Sequence, residues 1–328
     1  MAHSLKALFQ GRAWHPGRLG LKSFLALILF LSATTAAHSN RTCSISMTGI
    51  AFGNVDVTTG SPVETTGTVS VTCSGYGGDP PRLCISIGVG SAGDATSRQM
   101  LGPSSLRYDL YRDAARTSVW GSWQTGYKSP GVAADTADGT TNFTVYARLS
   151  GSQPTVTPGS YSSSFTLNPF LRYGRVSSSS PCPGPLNDEQ TTSTSFTVTA
   201  TVRTNCTVSV TNMNFGTVAA LSTNVDASSS VTARCTNGTP YNVGLNVGNG
   251  VGATVANRKM TSGGSTVSYS LYTNSGRTTV WGNTVGTDTV GGTGTGNDQV
   301  STIYGRVPPQ TTPPPATYSD TIVVTVTY

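Results

Sequence analysis

Apolar and polar residues alternate along much of this chain, and the clearest run lies within 194–206. Phe196, Val198, Ala200 and Val202 alternate with Ser195, Thr197, Thr199 and Thr201. A period of two predicts a β-strand with one face against a core. The run sits between two copies of a longer pattern. In each copy a Phe-Gly pair follows a cysteine at the same distance: Phe52-Gly53 after Cys43, and Phe215-Gly216 after Cys206. Arg98 and Met100 recur as Arg258 and Met260, and Tyr108, Leu110 and Tyr111 recur as Tyr269, Leu271 and Tyr272. Trp120-Gly121 matches Trp281-Gly282, Tyr146 and Arg148 match Tyr304 and Arg306, and Tyr161 matches Tyr318. Registration over that length defines an internal repeat.

The pattern predicts about six strands per copy, at 43–53, 66–73, 84–90, 105–112, 141–149 and 160–167 in the first. Short strands broken by frequent turn signals predict an all-β, antiparallel sandwich in each copy. Six strands leave such a sandwich with a groove, a row of unpaired backbone groups beside exposed core. The copies differ in how that groove could be filled. The first runs on through 168–193 and then supplies Phe196, Val198, Ala200 and Val202, which can return as a seventh strand. In the second, Ile322, Val324, Val326 and Tyr328 alternate inward as an acceptor strand, and nothing follows to cover it.

A length of 328 residues accommodates two such domains, placed at 38–203 and 204–328. Residues 1–37 read as an export signal, with Lys6, Arg12, Arg18 and Lys22 ahead of an apolar run at 24–31 and then Thr35, Ala36 and Ala37. The run is shorter than the ~20 residues a membrane span requires, so no transmembrane anchor is expected. The leader holds four of the 20 basic residues and none of the 14 acidic ones, leaving 16 against 14. The net charge of +6 is therefore mostly leader, and a near-neutral remainder argues against nucleic acid as a partner.

Six cysteines in an exported chain predict three disulfides. Cys43 and Cys73 are 30 apart and Cys206 and Cys235 are 29 apart. The repeat predicts one bridge in each copy, which leaves Cys84 and Cys182 for the third; free buried thiols are the alternative. The three histidines are His3, His15 and His38, so beyond the leader one remains. That removes His-based nucleophile pairs and metal sites. The 14 acids form no suggestive carboxylate pair, and the glycine-rich tracts at 248–252 and 291–296 lack the Lys-Ser/Thr of a phosphate loop. Neither an enzyme nor a cofactor is expected. Because Arg98/Arg258 and Arg148/Arg306 recur, they read as structural contacts, and Asp109 and Asp113 beside Arg107, Arg112 and Arg116 read as a solvated charge cluster.

The Cys…Phe-Gly start, Arg-x-Met, Tyr-x-Leu-Tyr, Trp-Gly and the closing Tyr-Ser-Asp-Thr at 318–321 resemble the spore coat protein U domain family over 41–165 and 204–328. This family supplies pilins of archaic (Csu-type) chaperone–usher pili. The resemblance implies immunoglobulin-like, pilin-type domains, the second lacking its final strand and completed by a strand from an adjacent pilin. It further implies a periplasmic chaperone and an outer-membrane usher as partners, and passage through the periplasm to the cell surface. Cleavage near Ala37 would leave only residues 38–42 before Cys43, too few to donate a strand. Two domains without a free donor resemble a tip adhesin serving surface attachment and biofilm formation. A structural coat or shaft protein, and a lectin-like sugar-binding tip, are the alternatives.

In that topology the connections at 74–83, 113–140 and 168–193 gather at one end of the first domain. They carry Tyr76, Leu83, Trp123, Tyr127, Val132, Phe170, Leu171 and Tyr173, whereas 284–296 in the second copy has no aromatics. Clustered apolar side chains predict adhesive loops facing an abiotic or host surface; satellite cores beneath the loops are the other reading. Trp120 is assigned to the core because Trp281 repeats it.

Overall fold

The computed structural model describes residues 40–128, 130–176 and 182–328, and the expected leader at 1–37 lies outside the described residues. The first half contains strands β1 (Thr42–Met47), β2 (Ile50–Val55), β3 (Val63–Ser74), β4 (Arg82–Ser86), β5 (Arg98–Leu101) and β6 (Ser105–Tyr111). It continues with β7 (Val132–Asp135), β8 (Gly139–Leu149), β9 (Gly159–Phe165), β10 (Phe170–Arg175), β11 (Asn187–Ser193) and β12 (Phe196–Val202). The second half contains β13 (Cys206–Val210), β14 (Val225–Cys235), β15 (Pro240–Leu245), β16 (Arg258–Ser262), β17 (Ser265–Tyr272), β18 (Val290–Thr293), β19 (Gln299–Val307) and β20 (Val324–Thr327). The protein is all-β. No helix long and apolar enough to cross a membrane occurs among the described residues.

Each half packs a larger sheet against a smaller one. In the first half the larger sheet runs β1-β3-β8-β6-β5-β9-β12-β2 and the smaller β11-β10-β4-β7. In the second the orders are β13-β14-β19-β17-β16 and β18-β15-β20. Alternation dictates the packing: in β12 the four apolar residues are buried and the threonines between them exposed. Each half has its own core, centred on Trp120 in the first and Trp281 in the second. The indole N–H groups donate to the carbonyls of Ile85 and Val243 respectively, equivalent points of the smaller sheets.

Three disulfides are present: Cys43–Cys73, Cys84–Cys182 and Cys206–Cys235. The first and third join residues directly opposite each other in β1–β3 and β13–β14. Closing loops of that length stabilises each half by roughly 3–4 kcal/mol in the chain-entropy model.

The smaller sheet of the first half differs from the sequence expectation. The connections at 113–140 and 168–193 contain β7, β10 and β11, and these strands pair with β4 and with one another. Cys84–Cys182 therefore tethers β4 to the segment leading into β11. The strands are short and punctuated by Asn168-Pro169 and Gly174, which obscures the period of two.

The recurring arginines are structural. Arg98 is fully buried, and its Nε donates to Gly88 O at 2.8 Å while one terminal nitrogen donates to Ile87 O and Trp120 O, each at 2.7 Å. Arg258 repeats this with the carbonyls of Asn246, Leu245 and Trp281. One planar cation thus satisfies carbonyls that the sheets leave unpaired. Arg148 pairs with Glu64, and Arg306 with Asp226. Asp109 corrects the solvated-cluster reading: it is buried, 2.5 Å from Arg98 and 2.7 Å from Lys128. Asp113 instead accepts from the backbone of Thr117 and Ser118, closing the turn after β6.

The second half has Ser270 where the first has Asp109, yet Arg258 remains buried. Arg98→Ala should therefore cost about 3–5 kcal/mol, the scale for breaking a buried charge pair, and Asp109→Ser clearly less. Urea unfolding checks this; equal losses would contradict the carbonyl-binding role.

Candidate functional site

In the first half β12 lies between β9 and β2, antiparallel to one and parallel to the other. Phe196 stands opposite Phe165, Val198 opposite Ser163, Ala200 opposite Tyr161 and Val202 opposite Gly159. Phe196 stacks on Phe165 with ring centroids 4.2 Å apart. Beneath β12 the side chains of Ile50, Val55, Met100, Tyr161 and Phe165 are all at most 2% exposed.

The second half repeats this floor without its cover. By the repeat, Met213 and Phe215 stand for Ile50 and Phe52, Met260 for Met100, Tyr318 for Tyr161, and Ile322 for Phe165. All five are only half-buried, and Val218, at the place of Val55, is 41% exposed. Neither flank is a strand: 211–224 has no ladder partner, and 318–322 touches β16 only through the isolated Thr261–Ser319 bridge. Between them lies a groove of about 430 Å³ lined by Met213, Phe215, Met260, Tyr318, Ile322 and Val324, among others. The repeat gives both halves the same spacing of inward-facing residues along these flanks. The difference is that a strand needs a neighbour to bond with.

Ile322 and Val324 of the expected acceptor strand line this groove. Val326 does not; like Val324 it pairs with β15, opposite Val243 and Leu245 respectively. Tyr328 is 54% exposed, its hydroxyl donating to Asn205 at 3.3 Å. The open edge is therefore the stretch just upstream, 318–322, because the chain changes sheet at this point, as it does between β9 and β10.

The groove also holds a carboxylate. Asp320 Oδ2 accepts from the Tyr269 hydroxyl at 2.7 Å, and Oδ1 accepts from the backbone N–H of Asn249 at 2.7 Å and of Thr321 at 2.8 Å. Burial, then the bond to Asp320, pushes the Tyr269 phenol well above its ordinary value. Burial lowers Arg258, against which Tyr269, Asp320 and Asp288 act. Asp320 belongs to the closing Tyr-Ser-Asp-Thr stretch at 318–321, and the contrast of Tyr318-Ser-Asp with Tyr161-Ser-Ser is the signal that marks it as a groove residue.

The adhesive-loop expectation is corrected. Tyr76, Leu83, Tyr127, Leu171 and Tyr173 are buried in the core of the first half or against its ion pairs. Trp123, Val132 and Phe170 are half-buried. Tyr127 lies under the Arg98 guanidinium, 4.6 Å from ring centroid to Cζ, and Tyr76 and Tyr173 pack into the core around the smaller sheet. Among the described residues, those exposed at this end of the first half include Gly77, Gly78, Asp79, Pro80, Ala137 and Asp138. Beside them run ion pairs from Arg175 to Asp188 and Asp79, and from Arg172 to Glu189.

The halves meet through polar contacts. Asn205 Nδ2 donates to Asp56 at 2.6 Å, and Asn237 Nδ2 to Thr155 O at 3.1 Å. Gly296 (φ +74°) approaches Pro154 so closely that a Cβ would lie 2.0 Å from its carbonyl oxygen, which requires glycine there.

The model of the spore coat protein U domain matches residues 29–168 and 192–325. The chain belongs to this family. A chain of the CsuC–CsuE chaperone–tip adhesion subunit pre-assembly complex, from archaic chaperone–usher Csu pili of Acinetobacter baumannii, has the same fold. It is 18% identical, with a TM-score of 0.53, over 88% of this chain and 100% of that one. The CupB6 tip adhesin of Pseudomonas aeruginosa aligns at 11% identity and a TM-score of 0.35, over 87% of this chain and 93% of that one. A comparison with curated protein sequences finds no match.

The open flanks have a direct signature in hydrogen exchange. Amides at 213–217 and 318–322 should exchange faster than their counterparts at 50–55 and 159–165, by roughly a hundredfold or more. Mass-spectrometric exchange on the protein without an added strand reads this. Equal protection in the two halves would mean the groove is closed in solution.

Proposed function

We propose that this protein is the terminal subunit of a chaperone–usher fibre, its second half joined to the fibre by a strand that a neighbouring pilin lends. One observation carries the reading: the position occupied by β12 in the first half is an open, apolar-floored groove in the second. An unpaired edge beside exposed core recruits a strand by backbone pairing and side-chain insertion together. A periplasmic chaperone would occupy the groove before the fibre neighbour does, and an outer-membrane usher would receive the complex. The first half has its groove filled in cis, so it needs no partner strand and hangs outside the chain of strand exchange. That is the geometry of a tip.

Surface attachment then falls to the far end of the first half. β3 spans 12 residues from the junction side outward, so this end stands roughly 35–40 Å away. With most of the apolar side chains buried, the exposed loops and the flanking ion pairs make contact there a polar one. This favours a hydrophilic or sugar-bearing target over an apolar surface.

Fusing an alternating Val/Thr strand to the chain through a flexible linker tests the strand-accepting role. The less stable thermal transition should rise by at least about 10 °C, as expected when a strand buries several apolar side chains in one domain. A fusion with the alternation shifted by one residue should give little gain. No rise with the in-register strand would contradict the proposal.

A further inference from the structure

Asp320 puts a carboxylate where the first half has a serine. Ser163 and Asp320 stand two residues after Tyr161 and Tyr318. Ser163 is fully buried and lies opposite Val198, itself fully buried. A neutral hydroxyl tolerates valine above it. A carboxylate covered by valine loses water and receives nothing in return. Three donors already reach Asp320: two backbone N–H groups on Oδ1 and one hydroxyl on Oδ2. A carboxylate offers about four acceptor sites, so Oδ2 has room for one more. Because Asp320 lines the groove, the natural source of that bond is the strand that comes to lie over it.

We propose that Asp320 selects the incoming strand, by requiring a hydrogen-bond donor (threonine, serine, asparagine or lysine) at the position that Val198 occupies in β12. The inference rests on the strand-accepting reading above and names the chemistry of the partner. The places equivalent to Phe196 and Ala200 keep apolar floors, Ile322 and Tyr318, so the strand is aliphatic or aromatic there. The same requirement makes the groove discriminate against Phe196–Val202 of another copy, which would set Val198 on the carboxylate. The second half is thereby biased towards a different polypeptide over self-association.

The test compares two synthetic peptides on the full chain: residues 194–203 as they stand, and the same peptide with Val198→Thr, a near-isosteric change. On the native chain the threonine peptide should bind about tenfold tighter, the scale of one hydrogen bond to a charged group. In Asp320→Ser the preference should vanish. Asp320→Asn, which keeps the side-chain size, should reduce it several-fold and covers the case in which the serine variant fails to fold. Equal affinities on the native chain, or an unchanged preference in the folded variants, would overturn the selection role while leaving strand acceptance standing. Failure of both peptides to bind would overturn strand acceptance, and the selection role with it.

Discussion

Backbone amides and carbonyls at the margin of a sheet must find partners, and where core side chains lie beside that margin the demand doubles. The groove of the second half presents both: main chain at 213–217 and 318–322 that joins no ladder beyond the Thr261–Ser319 bridge, and half-buried Met213, Phe215 and Ile322 between them. The first half meets the same demand internally with β12. Since the two halves are copies, the protein contains its own comparison. The filled copy measures what the open one lacks, side chain by side chain.

The copies also share the device that holds their two sheets together. A buried arginine, Arg98 or Arg258, gathers carbonyls from the end of an interior strand of the smaller sheet and from the buried tryptophan. The countercharge has shifted between them. In the first half Asp109 sits against the guanidinium, whereas in the second that place is Ser270 and a carboxylate appears instead on the groove wall, as Asp320 bonded to Tyr269. Moving the charge into the groove leaves the arginine's carbonyl bonds intact and places an acceptor in the path of an incoming strand. Packing sets the floor of the site, and this one polar group gives it chemical character.

Much of this is legible in the alternation and the repeat. Period-two runs place β3, β8, β9 and β12, and the doubled Cys, Arg, Tyr and Trp positions are enough to define the tandem architecture. Exposure is less legible. Leu171 and Tyr173 alternate over too few residues, after Asn168-Pro169, for β10 to be recognised, so core side chains read as adhesive fingertips. The site's edge is displaced for a related reason. Val324, Val326 and Tyr328 continue the alternation of Ile322 without a break, and only the pairing of β20 with β15 shows that the chain has already crossed to the other sheet. Periodicity tells which residues face inward, not which of two sheets they face inward from.

The most direct measurement is a structure of the protein with a strand bound, in an assembled fibre or with its chaperone. The expected result is a strand running antiparallel to 318–322 and parallel to 213–217, with Met213, Phe215, Val218, Tyr318 and Ile322 as fully covered as Ile50, Phe52, Val55, Tyr161 and Phe165 are now. A strand seated elsewhere, with that groove still empty, would contradict the account.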